Sequence, residues 1–154
     1  MTDAEFERIE EELGLKLPEV YRKIIRDLPD ELLDWPPIEV NNRRHEDFLL
    51  DVDEVLSVQS RVRRRMRSAF PEKGFVFGHS GENYWIFDAS ADDPEVQFVS
   101  PSLGMVMGKR ANLAEHLERI KLDHEDAWAK ERRRNEAGDA ATLSPNELIE
   151  EARQ

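Results

Sequence analysis

Four histidines, His45, His79, His116 and His124, are the side chains best suited to move protons near neutral pH, and they are scattered along the chain. None has the spacing of a zinc-binding HExxH helix. There is no cysteine, which removes both thiolate metal sites and a disulfide framework. His79 alone has company: Ser80 beside it, Glu82 three residues on, and Asp88 further along suit acid–base or hydrolytic chemistry if a fold gathers them. Segments rich in Gly and Ser hold such residues for turn reasons, and that plainer reading is preferred, so no catalytic residue is assigned. Asp88-Ala89-Ser90-Ala91-Asp92-Asp93 places oxygens at alternating positions, as the start of a calcium loop does. Asp93 stands where the sharp turn needs Gly, and Val99 where the bidentate Glu belongs. A polar strand connection is the better reading, and neither metal nor cofactor is expected.

Charge carries more information than any motif. From residue 74 to residue 108 there is no Lys or Arg, while Glu82, Asp88, Asp92, Asp93 and Glu95 all fall there. The net charge of -12 and pI near 4.8 argue against a nucleic-acid ligand or an anionic membrane. They favour steered association with a basic protein. Glu82, Asp92, Asp93 and Glu95 are therefore the expected contacts. Trp35, before two prolines, either caps the core or serves as an exposed anchor.

Arg61, Arg63, Arg64, Arg65 and Arg67 form the sharpest basic run. Spread over three-quarters of a helix circumference, they read as a solvated face ion-paired to acidic segments at residues 3–12 and 27–34. The run at residues 130–134 suits the negative end of a last helix. The chain starts acidic with no signal-peptide pattern, and its longest apolar run is far below the ~20 residues that span a bilayer. A cytoplasmic protein, monomeric or weakly dimeric, is the expectation.

The elements that must position these residues follow from periodicity. Three aromatic and β-branched runs, Phe75-Val76-Phe77, Tyr84-Trp85-Ile86-Phe87 and Val96-Gln97-Phe98-Val99, are separated by turn residues and read as an antiparallel meander. The middle run is apolar at four consecutive positions, so both its faces should be covered. Met105-Val106-Met107 reads as a fourth strand and Ile38-Glu39-Val40 as a short edge strand, with residues 41–46 a polar loop. Capping patterns at Thr2/Glu5, Asp51/Glu54 and Asn112/Glu115 start helices, and Pro18 opens another at its first position. Leu113, Leu117, Ile120 and Trp128 continue a stripe towards Gly138. The result is an α+β fold, a small meander of three to five strands packed by helices at its N- and C-terminal sides. One domain over residues 1–138 and a weak tail or short helix over 139–154 are expected.

The elbow Leu17-Pro18-x-x-Tyr21-Arg22, the helix start Asp51-Val52-Asp53-Glu54-Val55 and the segment Phe77-Gly78-x-x-Gly81-x-x-Tyr84-x-x-Phe87-Asp88 resemble the SUKH superfamily of Smi/Knr-type domains. Asn112-Leu113-x-Glu115-His116-Leu117 is similar to that family's C-terminal helix. The resemblance spans most of residues 4–122. It implies a helix-packed antiparallel sheet and, in bacteria, an immunity protein that binds a cognate toxin, often a nuclease. Fungal members are regulatory hubs, and an interaction module without a toxin is the alternative. The family offers no catalytic residue to carry over.

Overall fold

The computed structural model describes residues 1–29, 32, 45–46 and 48–140. Trp35 and the proposed strand at residues 38–40 lie outside them, as does the segment from residue 141 on.

Helix α1, Asp3–Leu13, begins where the sequence says it must. Glu5 N donates to Thr2 Oγ1 at 3.2 Å and Thr2 N donates to Glu5 Oε1 at 2.9 Å, so the two orphan amides are satisfied reciprocally. Gly14, at φ 64°, ends it in the left-handed conformation. The following elbow is fixed by one side chain: Glu10 accepts from Leu17 N at 2.8 Å and pairs with the Arg22 guanidinium. Helix α2, Glu19–Arg26, then has Pro18 at its N-cap, one position earlier than expected. Helix α3, Val52–Met66, is capped by Asp51 Oδ1, which accepts from Glu54 N at 2.9 Å.

Five strands follow chain order in one antiparallel sheet: β1 His45–Glu46, β2 Gly74–Ser80, β3 Asn83–Asp88, β4 Val96–Ser100 and β5 Met105–Arg110. The β1 pair forms in a stretch expected to be loop, by docking against His79 and Ser80 of β2. Register places Phe75, Phe87 and Val96 in one cross-strand row and Val76, Ile86, Gln97 and Lys109 in the next. Pleating sends these rows to opposite faces. Phe75, Phe87 and Val96 are buried, and so are Val76 and Ile86. Gln97 is half-buried and Lys109 exposed. The sheet is thus covered on both faces around β2 and β3 and becomes solvated towards β5.

Tyr21 of α2 is the centre of the core, with ring centroids 5.4 Å from both Phe75 and Phe87, 6.2 Å from Phe6 and 6.4 Å from Phe77. These edge-on and tilted contacts suit the ring quadrupoles. Helix α4, Leu113–Ala140, is 28 residues long, about 42 Å at the α-helical rise. Leu113, His116, Ile120, His124 and Glu131 form its buried stripe. Because α4 runs to Ala140, the basic run at residues 130–134 lies inside the helix. Its last turn carries no base, so the end-of-helix reading of that run is corrected.

Candidate partner-binding surface

A meander alternates its connections between two ends of the sheet, and this divides the acidic residues. Glu82 sits in the tight β2–β3 turn beside Gly81, whose φ of 63° supplies the left-handed corner. Asp92, Asp93 and Glu95 lie in the β3–β4 connection at the opposite end. The six residues of β3 separate them by about 20 Å. Asp92, Asp93 and Glu95 are therefore brought together, and Glu82 stands apart from them.

The β3–β4 connection is well tethered. Asp88 Oδ1 accepts from Ser90 N at 2.9 Å and from Ser90 Oγ at 2.6 Å, a local turn that occupies the carboxylate. Ala89 N donates to Lys73 O at 2.8 Å. At the far side Asn112 has two roles: its Oδ1 caps α4 by accepting from Glu115 N at 2.9 Å, and its Nδ2 donates to Asp93 Oδ2 at 3.3 Å. Glu115 completes that cap by accepting from Ala111 N, and this bond holds its carboxyl below the usual carboxylate range. The carboxylates are thus displayed on a fixed loop.

Asp92 and Asp93 are exposed, with no cation on either among the described residues. Glu95 is paired with Lys109 at 3.5 Å, at the solvent surface where such a pair is weak. Beside the loop, a depression of about 810 Å³ opens towards the α1–α2 elbow. Its charged lining is balanced, with Glu10, Glu19 and Asp92 against Lys16, Arg22 and Lys73. The acidic feature here is a ridge bordering a neutral groove.

Asp88 is not brought to His79 and Ser80. His79 pairs across the sheet with Tyr84, while Asp88 pairs with Gly74. Four strand positions, about 13 Å, separate Tyr84 from Asp88.

The arginine run is solvated as expected, but among the described residues it is not ion-paired to the acidic segments. Arg61 donates to Tyr84 Oη at 3.4 Å. Arg63 lies over Phe70 at 4.6 Å and donates to the carbonyls of Pro71 and Glu72. Among the described residues, acids of α1 and α2 pair instead with Arg8, Arg22 and Arg26: Arg8 meets Glu12, Arg22 meets Glu10, and Arg26 meets Asp3 and Glu19, while Arg8 also meets Asp53 of α3. The Arg8–Asp53 pair at 2.9 Å sets α1 against the first turn of α3. Arg64 lies eleven residues further on, about 16 Å along the helix and out of reach.

One cluster escaped sequence reasoning. His116 is fully buried among Phe48, Phe77 and Trp85, with its ring centroid 4.5 Å from that of Trp85. Arg110 Nη1 lies 2.8 Å from His116 Nδ1 and its guanidinium 4.5 Å from the Trp85 ring. Arginine only donates, so Nδ1 accepts and the imidazole carries its proton on Nε2. The sequence signal was the placement of His116 three residues after Leu113, on the inward stripe.

A family model described as SMI1/KNR4 family (SUKH-1) matches residues 1–120, from the α1 cap to the buried Ile120 of α4. Comparisons with curated proteins and with solved structures return no match. No described helix is long and apolar enough to cross a membrane.

Proposed function

The chain belongs to the SMI1/KNR4 family (SUKH-1), which includes immunity proteins, and from that premise we propose that it is an immunity protein for a basic, nuclease-type toxin domain. It acts by occlusion. A nuclease holds a polyanion, so its substrate site is basic, and a fixed acidic ridge competes for that site. Long-range attraction from a chain of net charge -12 raises the encounter rate, and short-range burial of a few anchors sets the dissociation rate.

The observation that supports this reading is the tethered display of Asp92 and Asp93, exposed and without a cation of their own among the described residues. Glu95 flanks them, and Glu82 is a separate contact if it is one at all. The test is stopped-flow association with the toxin domain encoded beside the gene. Asp92→Lys with Asp93→Lys should slow association at least tenfold at low salt, and should return activity to the toxin. An unchanged rate excludes the ridge. Absence of any toxin in the neighbourhood that the protein inhibits leaves the regulatory interaction module as the reading.

A further inference from the structure

We infer that the outer edge of β5 is a docking edge for a strand of the basic partner, which continues the sheet and ends beside the acidic ridge. The inference rests on the occlusion reading for the kind of partner. It adds the surface that holds that partner once it has arrived.

Residues 96–108 contain no charged side chain, in a chain where 36% of residues are charged. They form β4, its turn and most of β5, the last strand of an open sheet. Among the described residues, the exposed large hydrophobics are Leu103, Met105, Met107 and Leu122. Three of these four lie on this one hairpin, at 68%, 50% and 52% exposure. Their display is built in. Leu103 N donates to Ser100 Oγ at 3.3 Å, Gly104 N donates to Pro101 O at 3.3 Å, and Gly104 takes the left-handed corner at φ 63°. No strand among the described residues pairs with the outer side of β5. Met107 is the extra residue where the register with β4 shifts, so it stands outside the β4 ladder as well. Such an edge offers unpaired amide and carbonyl groups to an incoming strand. Methionine suits the contact, because its unbranched thioether repacks against the shape that arrives.

Charge selects the occupant. A second copy is opposed, since two chains of net charge -12 repel. The rim beside the edge is negative too. Arg110 pairs with Val96 and Lys109 with Gln97, so this end of β5 adjoins the β3–β4 connection. Asn112, two residues past β5, donates to Asp93 Oδ2 at 3.3 Å. Glu95 meets Lys109 at 3.5 Å, and Arg110 is turned inward onto Trp85 and His116. With those two cations engaged, Asp92 and Asp93 set the sign of the rim. Edge and ridge thus form one surface: an apolar strip of about 20 Å from Leu103 to Lys109, closed at one end by carboxylates. The strand that fits is apolar along Leu103, Met105 and Met107 and carries Lys or Arg where it reaches Asp92 and Asp93. The ridge then governs association, and the apolar strip governs dissociation.

Met105→Thr with Met107→Thr tests the edge while keeping both charge and strand propensity. Both side chains are about half-exposed, so the variant should keep the wild-type urea midpoint. Against the toxin domain encoded beside the gene, its association rate should stay within about twofold of wild type. Its dissociation rate should rise about tenfold or more, as two methionines newly covered in the complex imply. That ratio should be the same in low and high salt, because the lost contact is uncharged. In the wild-type complex, amide hydrogen exchange should slow over residues 105–109. Asp92→Lys with Asp93→Lys should give the opposite split, with the main loss in association. A complex whose dissociation ignores the threonines, or whose exchange over 105–109 is unchanged, overturns the inference and leaves the occlusion reading standing. So does a free chain that dimerises in sedimentation and loses the dimer in the threonine variant, which gives the edge to a second copy. A toxin domain that does not bind the wild-type chain overturns both.

Discussion

Gln59 of α3 acts as a strand for Val76 of β2. Its Nε2 donates to Val76 O at 2.7 Å, and Val76 N donates to its Oε1 at 2.8 Å. The same Nε2 also reaches Val55 O at 3.0 Å, and the side chain is buried. The amide thus completes a backbone pair at the point where β1 has ended and the β2–β3 register shifts. Leu49 N does the same one residue on, donating to Phe77 O at 2.7 Å. Between them they close an edge that would otherwise carry buried, unpaired amide groups.

Gln59→Leu keeps the volume and removes both partners of Val76. Two buried backbone groups are left unsatisfied at ~1–3 kcal/mol each, so a loss of about 2–6 kcal/mol is expected in urea unfolding. Gln59→Glu would bury a carboxylate against the carbonyls of Val55 and Val76, and should cost at least as much at neutral pH. A Leu variant as stable as wild type would show that water reaches Val76.

Tyr21 poses the opposite case. Its hydroxyl is buried and has no partner among the described residues, while its ring holds the aromatic core. Tyr21→Phe should therefore be neutral or stabilising by about 1 kcal/mol, whereas Tyr21→Ala should cost about 3–5 kcal/mol. Burial also pushes the Tyr21 phenol above its ordinary pKa of 10.0. The fold thus favours the neutral phenol, with full stability below pH 10.0 and loss as pH rises towards the folded-state value. Alkaline unfolding followed by tyrosinate absorbance should shift to higher pH in Tyr21→Phe.

The meander, its loops and three of the helix starts were legible because each has a local cause: alternation of apolar runs, turn residues, or a Ser/Thr/Asp/Asn cap with a Glu three residues on. What was not legible is long-range. Nothing local in Gln59 marks it as the partner of Val76, seventeen residues away. The arginine run could be given a helix but not its neighbours, since pairing depends on which end of α3 lies against α1. The acidic loops are neighbours in sequence, whereas a meander places alternate turns at opposite ends of the sheet. His116 was read as one scattered histidine because its role is set by Arg110, Trp85 and Phe77, which reach it only in the fold.

Two helix caps give an acid dependence with a defined sign. Glu5 accepts from Thr2 N and Glu115 from Ala111 N, and these bonds to the ionised carboxylates lower both pKa values from 4.5. A carboxyl whose folded pKa is depressed stabilises the fold above its unfolded value and loses that contribution as pH falls through the folded one. Glu5→Gln and Glu115→Gln should each lower the urea midpoint at pH 7, and the difference from wild type should vanish at low pH. An equal difference at pH 7 and well below the folded pKa would assign the effect to packing.

The two ends of the sheet make the last prediction geometric. Asp92 and Asp93 share a loop tethered through Asn112, while Glu82 lies about 20 Å away across the length of β3. A toxin surface engaging the β3–β4 end at close range meets Glu82 only through the screened field, since the Debye length is about 8 Å at physiological salt. Glu82→Lys alone should then change the association rate less than about twofold at that ionic strength, against the much larger effect of the Asp92 and Asp93 reversals. Adding Glu82→Lys to those two should give additive effects, as expected for sites this far apart. A Glu82 effect as large as theirs, or strong coupling between the ends, would mean that the partner spans the whole face of the sheet, and the ridge would then be one rim of a larger interface.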